Sequence, residues 1–439
     1  MVDGTPQSRS SRPASPFDAV EAGLRADGRL DDAFAVSAPA AAQPGEPRSI
    51  LLTGATGFLG AFLLSELLRQ TTATVHCLVR APTPDEGLAR LAHVQRHYEL
   101  PDALPSDRVH AVCGDLAQPR LGLAEADYTR LAHTVDTIVH GAAAMNFYQP
   151  YEALRDTNVG GTRSVLQFAV TGPTKALHYI SSSGVFDARS YLGKIVRETD
   201  VPERCDDSVT GYTQSKWVAE RLVVAARDRC LPVCVHRPPF IVGHSETGVV
   251  DLDNLIVRMM VGCIQGGFWP DECSPLDIIP VDYVSRAVAR LVREPASAER
   301  TLHYAGARGL RLADIGRALQ AAGYDLELRP FAEWKQELRR FSRQPQNALR
   351  PLAPLFLKAN ARLAKPVPDA FLQPPRPRFD SAATRAFLGG LGVPAPAMDD
   401  QLFARYCDYF VRVGWAPPAI ETQRGAAAPA PAALPQANA

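Results

Sequence analysis

Ser49-Ile50-Leu51-Leu52-Thr53-Gly54-Ala55-Thr56-Gly57-Phe58-Leu59-Gly60 is the stretch on which the reading of this chain turns. A short apolar run ends at Thr53, a glycine-rich turn follows, and apolar residues at helical spacing (Phe58, Leu59, Phe62, Leu63, Leu64, Leu67) begin at once. Strand, glycine turn and helix in that order make a cradle for a pyrophosphate. Gly54 permits the tight turn, Gly57 lets the backbone approach the phosphates, and Gly60 lets the helix pack closely. The N–H groups at the helix start hold the negative charge. The T-G-x-x-G-x-x-G spacing differs by one residue from the plain G-x-G-x-x-G fingerprint, and a glycine pattern alone also fits an ordinary strand-to-helix turn. Its place between a strand and a helix favours the dinucleotide.

Outward from that turn, strand and helix signals alternate. Further strands are expected at Val75–Arg80, Val109–Cys113, Thr137–His140, Ala176–Ser181 and Pro232–His236. Helical patterns lie near 57–69, 85–97, 150–170 and 211–228. Strands separated by helices of ten or more residues indicate a parallel sheet with helices on both faces, and ligands at the C-terminal ends of its strands. The expected fold is therefore α/β: a doubly wound parallel sheet of Rossmann type with a smaller, mostly helical C-terminal substrate lobe. The dinucleotide domain is expected over 48–244, continued by about 277–304. Residues 245–276 and 305–415 form the lobe, with helices at Leu312–Ala322, Phe331–Phe341 and Gln401–Val413. Residues 1–47 read as an extension, disordered over 1–15, with a short helix within Ala19–Phe34 and a linker at Pro44–Pro47. Residues 416–439, rich in Ala and Pro, read as a flexible tail.

Composition narrows the function classes. Over 439 residues, hydrophobic content is 46%, charged content 21% and formal net charge zero, which gives no bulk electrostatic argument for nucleic acid or an anionic membrane. No apolar run approaches the ~20 residues a bilayer demands, and the N-terminus lacks a signal peptide pattern. The eight cysteines are scattered, with no paired cysteine or histidine set to complete a zinc site, so no metal is expected. They read as reduced thiols in a cytoplasmic protein.

A second anchor is Gly211-Tyr212-Thr213-Gln214-Ser215-Lys216-Trp217. On a helix, Tyr212 and Lys216 stand one turn apart on one face. An ammonium there favours the phenolate and is expected to lower the tyrosine pKa, which makes Tyr212 a proton donor near neutral pH. Alone, such a pair is also a commonplace solvated face. It gains force by following the glycine turn within one domain's length. A third piece is the serine run in Tyr179-Ile180-Ser181-Ser182-Ser183-Gly184-Val185, where a hydroxyl at a strand's C-terminal end can hydrogen-bond a carbonyl oxygen that gains negative charge.

These three pieces together resemble the extended short-chain dehydrogenase/reductase superfamily. Within it the chain is similar to the thioester reductases, the terminal reductase domains of nonribosomal peptide synthetases, polyketide synthases and carboxylic acid reductases. The matching phrases are ILLTGATGFLGAFLLSELL, VHCLVRA, GDLAQPRLGL, DTIVHGAAAMNF, PYEALRDTNVGGT, LHYISSSGVF, GYTQSKWVAERLV and IIPVDYVSRAV, in family order from about residue 48 to 293. The resemblance selects Ser182 among the serines, where many relatives have threonine, and implies Ser182, Tyr212 and Lys216 as catalytic residues. It implies NADPH contacts from Gly54, Thr56, Gly57, Phe58, Leu59 and Gly60. Asp115 and Leu116 would flank the adenine, and Ala142 and Ala143 would line the channel. Asn158 would brace the active-site helix, Pro239 and Ile241 would border the nicotinamide, and Lys216 would also bond the ribose. The second strand ends in Arg80, with no acidic residue for a ribose 2′-hydroxyl. A guanidinium there suits a 2′-phosphate, hence NADPH, with Arg90 as a second charge.

The implied reaction is NADPH-dependent reduction of an acyl or peptidyl thioester on the phosphopantetheine arm of a carrier protein. It releases an aldehyde, and a second reduction would give an alcohol. The basic stretch 334–365 (Lys335, Arg339, Arg340, Arg343, Arg350, Lys358, Arg362 and Lys365 against Glu337) is a candidate docking face for an acidic carrier, or simply a solvated helical surface. A fatty acyl-CoA reductase or another extended reductase is the alternative reading. A silent NADP-binding sensor is a remote one, since the chain keeps both Tyr212 and Lys216.

Overall fold

The computed structural model describes residues 16–36, 46–205, 210–306, 309–358 and 376–419. The stretch 1–15, the tail from 420 onward, Arg362 and Lys365 lie outside the described residues.

Helix α1 (Pro16–Asp27) precedes the alternation that begins at β1 (Ser49–Thr53). There follow α2 (Phe58–Gln70), β2 (Thr74–Val79), α3 (Pro84–His97), β3 (Val109–Cys113), α4 (Glu125–Thr134) and β4 (Thr137–His140). Next come α5 (Tyr151–Arg155), α6 (Gly161–Val170), β5 (Ala176–Ile180), the short β6 (Ile195–Val196), α7 (Gly211–Arg227) and β7 (Val233–Arg237). After β8 (Phe240–Val242), α8 (Leu255–Gly266), β9 (Phe268–Asp271), β10 (Ile278–Pro280) and α9 (Val281–Leu291), the strand β11 (Thr301–His303) returns to the sheet. Seven strands then lie parallel in the order β11-β7-β5-β4-β1-β2-β3.

The two faces of the sheet follow from strand periodicity. Leu51, Ile138, Leu177, Tyr179, Val233 and Val235 point into one core with α1, α4, α6 and α7. Ile50, Leu52, Val75, Cys77, Val139 and Cys234 point into the other with α2 and α9. Both faces are covered, which is why the strands read as nearly continuous apolar runs.

Three features depart from the sequence reading. Arg80, Ser181 and Pro232 fall just outside their strands. The expected helix over 150–170 is broken by a π-helical turn at Asp156–Gly160, between α5 and α6. Helix α4, with only Tyr128, Leu131 and Ala132 buried, has too thin an apolar stripe to stand out by periodicity.

The remaining elements are α10 (Leu312–Ala321), β12 (Glu327–Pro330), α11 (Phe331–Phe341), α12 (Ala353–Leu357), β13 (Arg378–Phe379) and the helices Ala382–Gly390 and Asp400–Arg412. A third core gathers α8, α10, α11 and the helix Asp400–Arg412 around the fully buried Trp269 and Trp334, and reaches α2 through Phe62. Every residue from Leu255 to Ile264 is buried, so α8 is the centre of this body. Each large apolar side chain buried this way contributes about 1.5–3 kcal/mol. Gly316 is required there, because a Cβ would sit 2.3 Å from the Trp269 ring. Residues 376–395 pack elsewhere: β13 pairs with β6, and Leu388 and Phe387 lie in the core of the sheet.

Candidate active site

The glycine turn sits where β1 gives way to α2. Gly54 has φ +84°, and a Cβ there would lie 2.8 Å from the Ala142 nitrogen. A Cβ on Gly60 would come within 1.8 Å of the Gly54 carbonyl oxygen, so this glycine lets the helix close on the turn itself. Gly57 is the N-cap of α2 and carries no side-chain cap. The first N–H groups of α2, at Phe58, Leu59 and Gly60, are therefore not answered by a capping side chain and suit a diphosphate. This donor set fits the expected dinucleotide.

Contacts run from this turn to α7. The Thr53 hydroxyl accepts from the Ala142 N–H at 3.2 Å and meets His140 Nδ1 at 2.7 Å. Asn158, on the π-helical turn, accepts from the Ala144 N–H at 2.7 Å and donates to the Ala144 carbonyl at 3.0 Å. Its amide also donates to Ser215 Oγ on α7 at 2.8 Å. Gly54, Ala142, Asn158 and α7 are thus one continuous set of contacts. Leu116 lies against Gly161 at the start of α6, and the Asp115 carboxylate accepts from the Ala117 N–H at 3.0 Å. Arg80 is exposed just beyond β2, and Arg90 donates to the Arg80 carbonyl at 3.0 Å. Pro239 and Ile241 are half-buried between β7 and the end of β8, beside the Ser182 loop, where the Ser183 N–H donates to the Pro238 carbonyl at 2.9 Å.

Helix α7 begins at a Thr210 cap whose hydroxyl accepts from the Thr213 N–H at 3.0 Å. Lys216 is buried and donates to the Ile180 carbonyl, at the end of β5, at 2.7 Å. Two residues beyond Ile180, Ser182 is half-buried and its Oγ accepts from the Gly184 N–H at 3.1 Å. The Tyr212 ring lies edge-on to Phe147, centroids 6.2 Å apart, and its hydroxyl has no hydrogen-bond partner among the described residues. Ser181 instead donates to Glu220, whose carboxylate pairs with Arg237 at 2.7 Å in full burial.

The electrostatics correct one expectation. Burial pushes the Tyr212 phenol up to about 12 and the Lys216 ammonium down to about 7. The pair does not lower the phenol, because burial disfavours the charged form of both groups and Lys216 is anchored on the Ile180 carbonyl. Tyr212 is consequently protonated throughout the neutral range, as a proton donor must be.

Several groups in and around the site carry no sequence signal. Asp187 reaches Thr213 Oγ1 at 3.5 Å and Arg376 at 3.7 Å, and burial raises its carboxyl to about 6. His178, Cys234 and His236 bring potential metal donors within 4.8 Å of one another. Three of the four ring nitrogens are already engaged, His178 Nδ1 with His236 Nε2 at 3.2 Å and His236 Nδ1 with the Tyr304 hydroxyl at 2.7 Å. They come from neighbouring strands β5 and β7, a proximity that residue spacing does not reveal.

Known proteins share this fold. Residues 52–288 match the family described as male sterility protein. The terminal R domain of the myxalamid PKS-NRPS pathway superposes with TM-score 0.83 at 37% identity, covering 91% of this chain and all (100%) of that one. This chain belongs to that family of terminal reductase domains. The reductase domain of a Mycobacterium tuberculosis nonribosomal peptide synthetase matches at TM-score 0.70 and 29% identity, over 90% of this chain and 99% of that domain. A linear gramicidin synthase of Brevibacillus parabrevis is 36% identical over 396 residues, 89% of this chain. The reductase domain spans only 8% of that synthase and 28% of an L-2-aminoadipate reductase of Penicillium chrysogenum, with which it is 32% identical. It is thus an oxidoreductase domain built for a nicotinamide cofactor. No helix among its described residues is long and apolar enough to cross a membrane.

Proposed function

We propose that this domain uses NADPH to release an acyl or peptidyl group, held as a thioester on the phosphopantetheine arm of a carrier protein, as an aldehyde. The observation that carries this reading is that α7 is tied to the end of β5 through Lys216, which brings the Tyr212 and Ser182 segments together at the strand ends that follow the glycine turn. When bound, the dihydronicotinamide supplies the hydride for the thioester carbonyl carbon. Ser182 and Tyr212 hydrogen-bond the oxygen as it gains negative charge, and Tyr212 gives it a proton. Loss of the thiol from the resulting hemithioacetal leaves the aldehyde, and a second round on the aldehyde would give an alcohol. Lys216 orients the cofactor ribose. Arg80, exposed and carrying the carbonyl that Arg90 binds, supports a 2′-phosphate over a hydroxyl.

The similar proteins support the carrier partner: one is the reductase domain of a nonribosomal peptide synthetase, and another solved neighbour is a thiolation-reductase di-domain. Arg339, Arg343 and Arg350 are exposed on and just after α11, while Arg340 pairs with Glu337 at 2.8 Å. We assign this face to carrier docking. Reversing the charge of Arg339 and Arg340 should raise the KM for a carrier-bound thioester and spare a small thioester mimic. Equal effects on both would eliminate the docking face. The reading as a whole is tested by supplying NADPH with carrier-loaded and CoA-linked acyl groups and identifying the products. Preference for the CoA substrates would replace the carrier with CoA.

A further inference from the structure

Residues 16–36 pack on the side of the sheet opposite α2. Leu24 and Phe34 are buried in the same core as Trp217, Val218 and Leu222 of α7. Arg163 donates to the carbonyls of Asp27 and Arg29 at 2.5 and 2.9 Å, and Arg229 to those of Asp31 and Phe34 at 2.5 and 3.0 Å. The strongest tie is Asp27. Its Oδ2 accepts from the Tyr151 hydroxyl and from Arg155 Nε, and its Oδ1 from Arg155 Nη2, all at 2.7 Å. These bonds hold its carboxyl down at about 2, so it stays ionised at every working pH.

Both partners of Asp27 lie on α5, and α5 touches the catalytic helix at two places. At its start, the chain at Gln149, Pro150 and Tyr151 presses on Gly211, where a Cβ would lie 2.5 Å from the backbone of each. Gly211 is the residue before Tyr212. At its end, α5 runs into the π-helical turn, whose Asn158 holds Ser215 and both backbone polar groups of Ala144. α5 is the first turn of a helical run that continues through the π-helical turn into α6, and the N–H groups of a first turn have no partner within their own helix, so its placement depends on what grips it.

We propose that Asp27 is a positioning residue: through Tyr151 and Arg155 it fixes α5, and α5 in turn fixes the start of α7 and hence the reach of Tyr212. The N-terminal strap is on this account a remote part of the catalytic machinery. Misplacing a donor by an ångström is enough to slow a proton transfer without touching the reacting groups. The inference rests on the reductive reading of the site.

The test is single-turnover reduction of a small acyl thioester by the full chain, followed by loss of the NADPH signal, with rate constant and amplitude read separately. Asp27→Asn should lower the rate constant about 5–20-fold at unchanged amplitude, and Asp27→Glu should recover part of it. Tyr151→Phe, which deletes one hydroxyl and leaves the ion pair, should lower it about 2–5-fold. Adding Arg155→Met to Asp27→Asn should change little more, since both act through one contact. If these variants lose only amplitude or melting temperature while the rate constant holds, the strap is merely structural and the proposal fails. If the unmodified chain itself does not oxidise NADPH with any thioester, the functional reading fails instead.

Discussion

Two clusters of polar side chains lie on successive turns of α7, and they are built in opposite ways. At the first, Tyr212 has a hydroxyl with no partner among the described residues, Ser182 accepts one backbone bond, and Lys216 is anchored on a single carbonyl. At the second, Glu220 accepts from Ser181 and Arg237, while Arg237 also meets His303 at 3.1 Å and the Asp200 carbonyl at 3.1 Å. The second cluster is saturated and buried, and its groups have nothing left to offer a ligand. The first keeps spare hydrogen-bonding capacity at the open end of the sheet. Chemistry belongs to the groups left incomplete, and rigidity to those completed.

Substitutions should separate the two clusters cleanly. Tyr212→Phe should lower kcat by about 10²–10⁴-fold with little change in melting temperature, because the lost hydroxyl supports no contact. Intact turnover in that variant would leave the catalytic assignment without a basis. Ser182→Ala should reduce kcat by about 10²–10³-fold, with a small stability loss from the Gly184 N–H it accepts. Arg237→Met should do the reverse. By leaving Glu220 buried without its partner it should cost about 3–5 kcal/mol in denaturant unfolding, while turnover per folded molecule stays near normal. A large drop in per-molecule rate there would blur the distinction between the clusters.

A graded effect is a pH trend. Lys216 is depressed to about 7 from an ordinary 10.5, so between those values the unfolded chain holds a proton that the folded chain lacks. Stability contributed by this group therefore rises with pH across that window, and is lowest where the buried ammonium is charged. The charge it offers the cofactor is lost over the same range, so kcat/KM for NADPH should fall by up to about tenfold per pH unit. Lys216→Arg should flatten both trends. Parallel rather than opposed changes would show that another group governs the profile.

The doubly wound sheet was legible because its signals are local. Apolar runs such as Ile50–Leu52 and Val233–Val235, the turn glycines and the helical spacing after Gly57 each declare themselves within a few residues. The π-helical break was not, because Asp156–Gly160 differs from its helical flanks by one hydrogen-bond register and by nothing periodic. Tyr212 and Lys216 stood out as a pair one turn apart, whereas the choice of Ser182 over Ser181 and Ser183 needed the family resemblance. The structure then gives Ser181 to Glu220.

Residue order alone was sufficient for the glycine cradle, six of the seven strands up to β7 (all but the short β6), and the placing of Tyr212 and Lys216 on one helix face, since each depends on neighbours within a turn or a strand. Tertiary structure alone decided that Asp27 grips Arg155 across 128 residues, that Glu220 and Arg237 close on each other, and that burial raises Tyr212 instead of letting Lys216 lower it. A pKa or an ion pair depends on what excludes water around it, and that enclosure is assembled from distant parts of the chain.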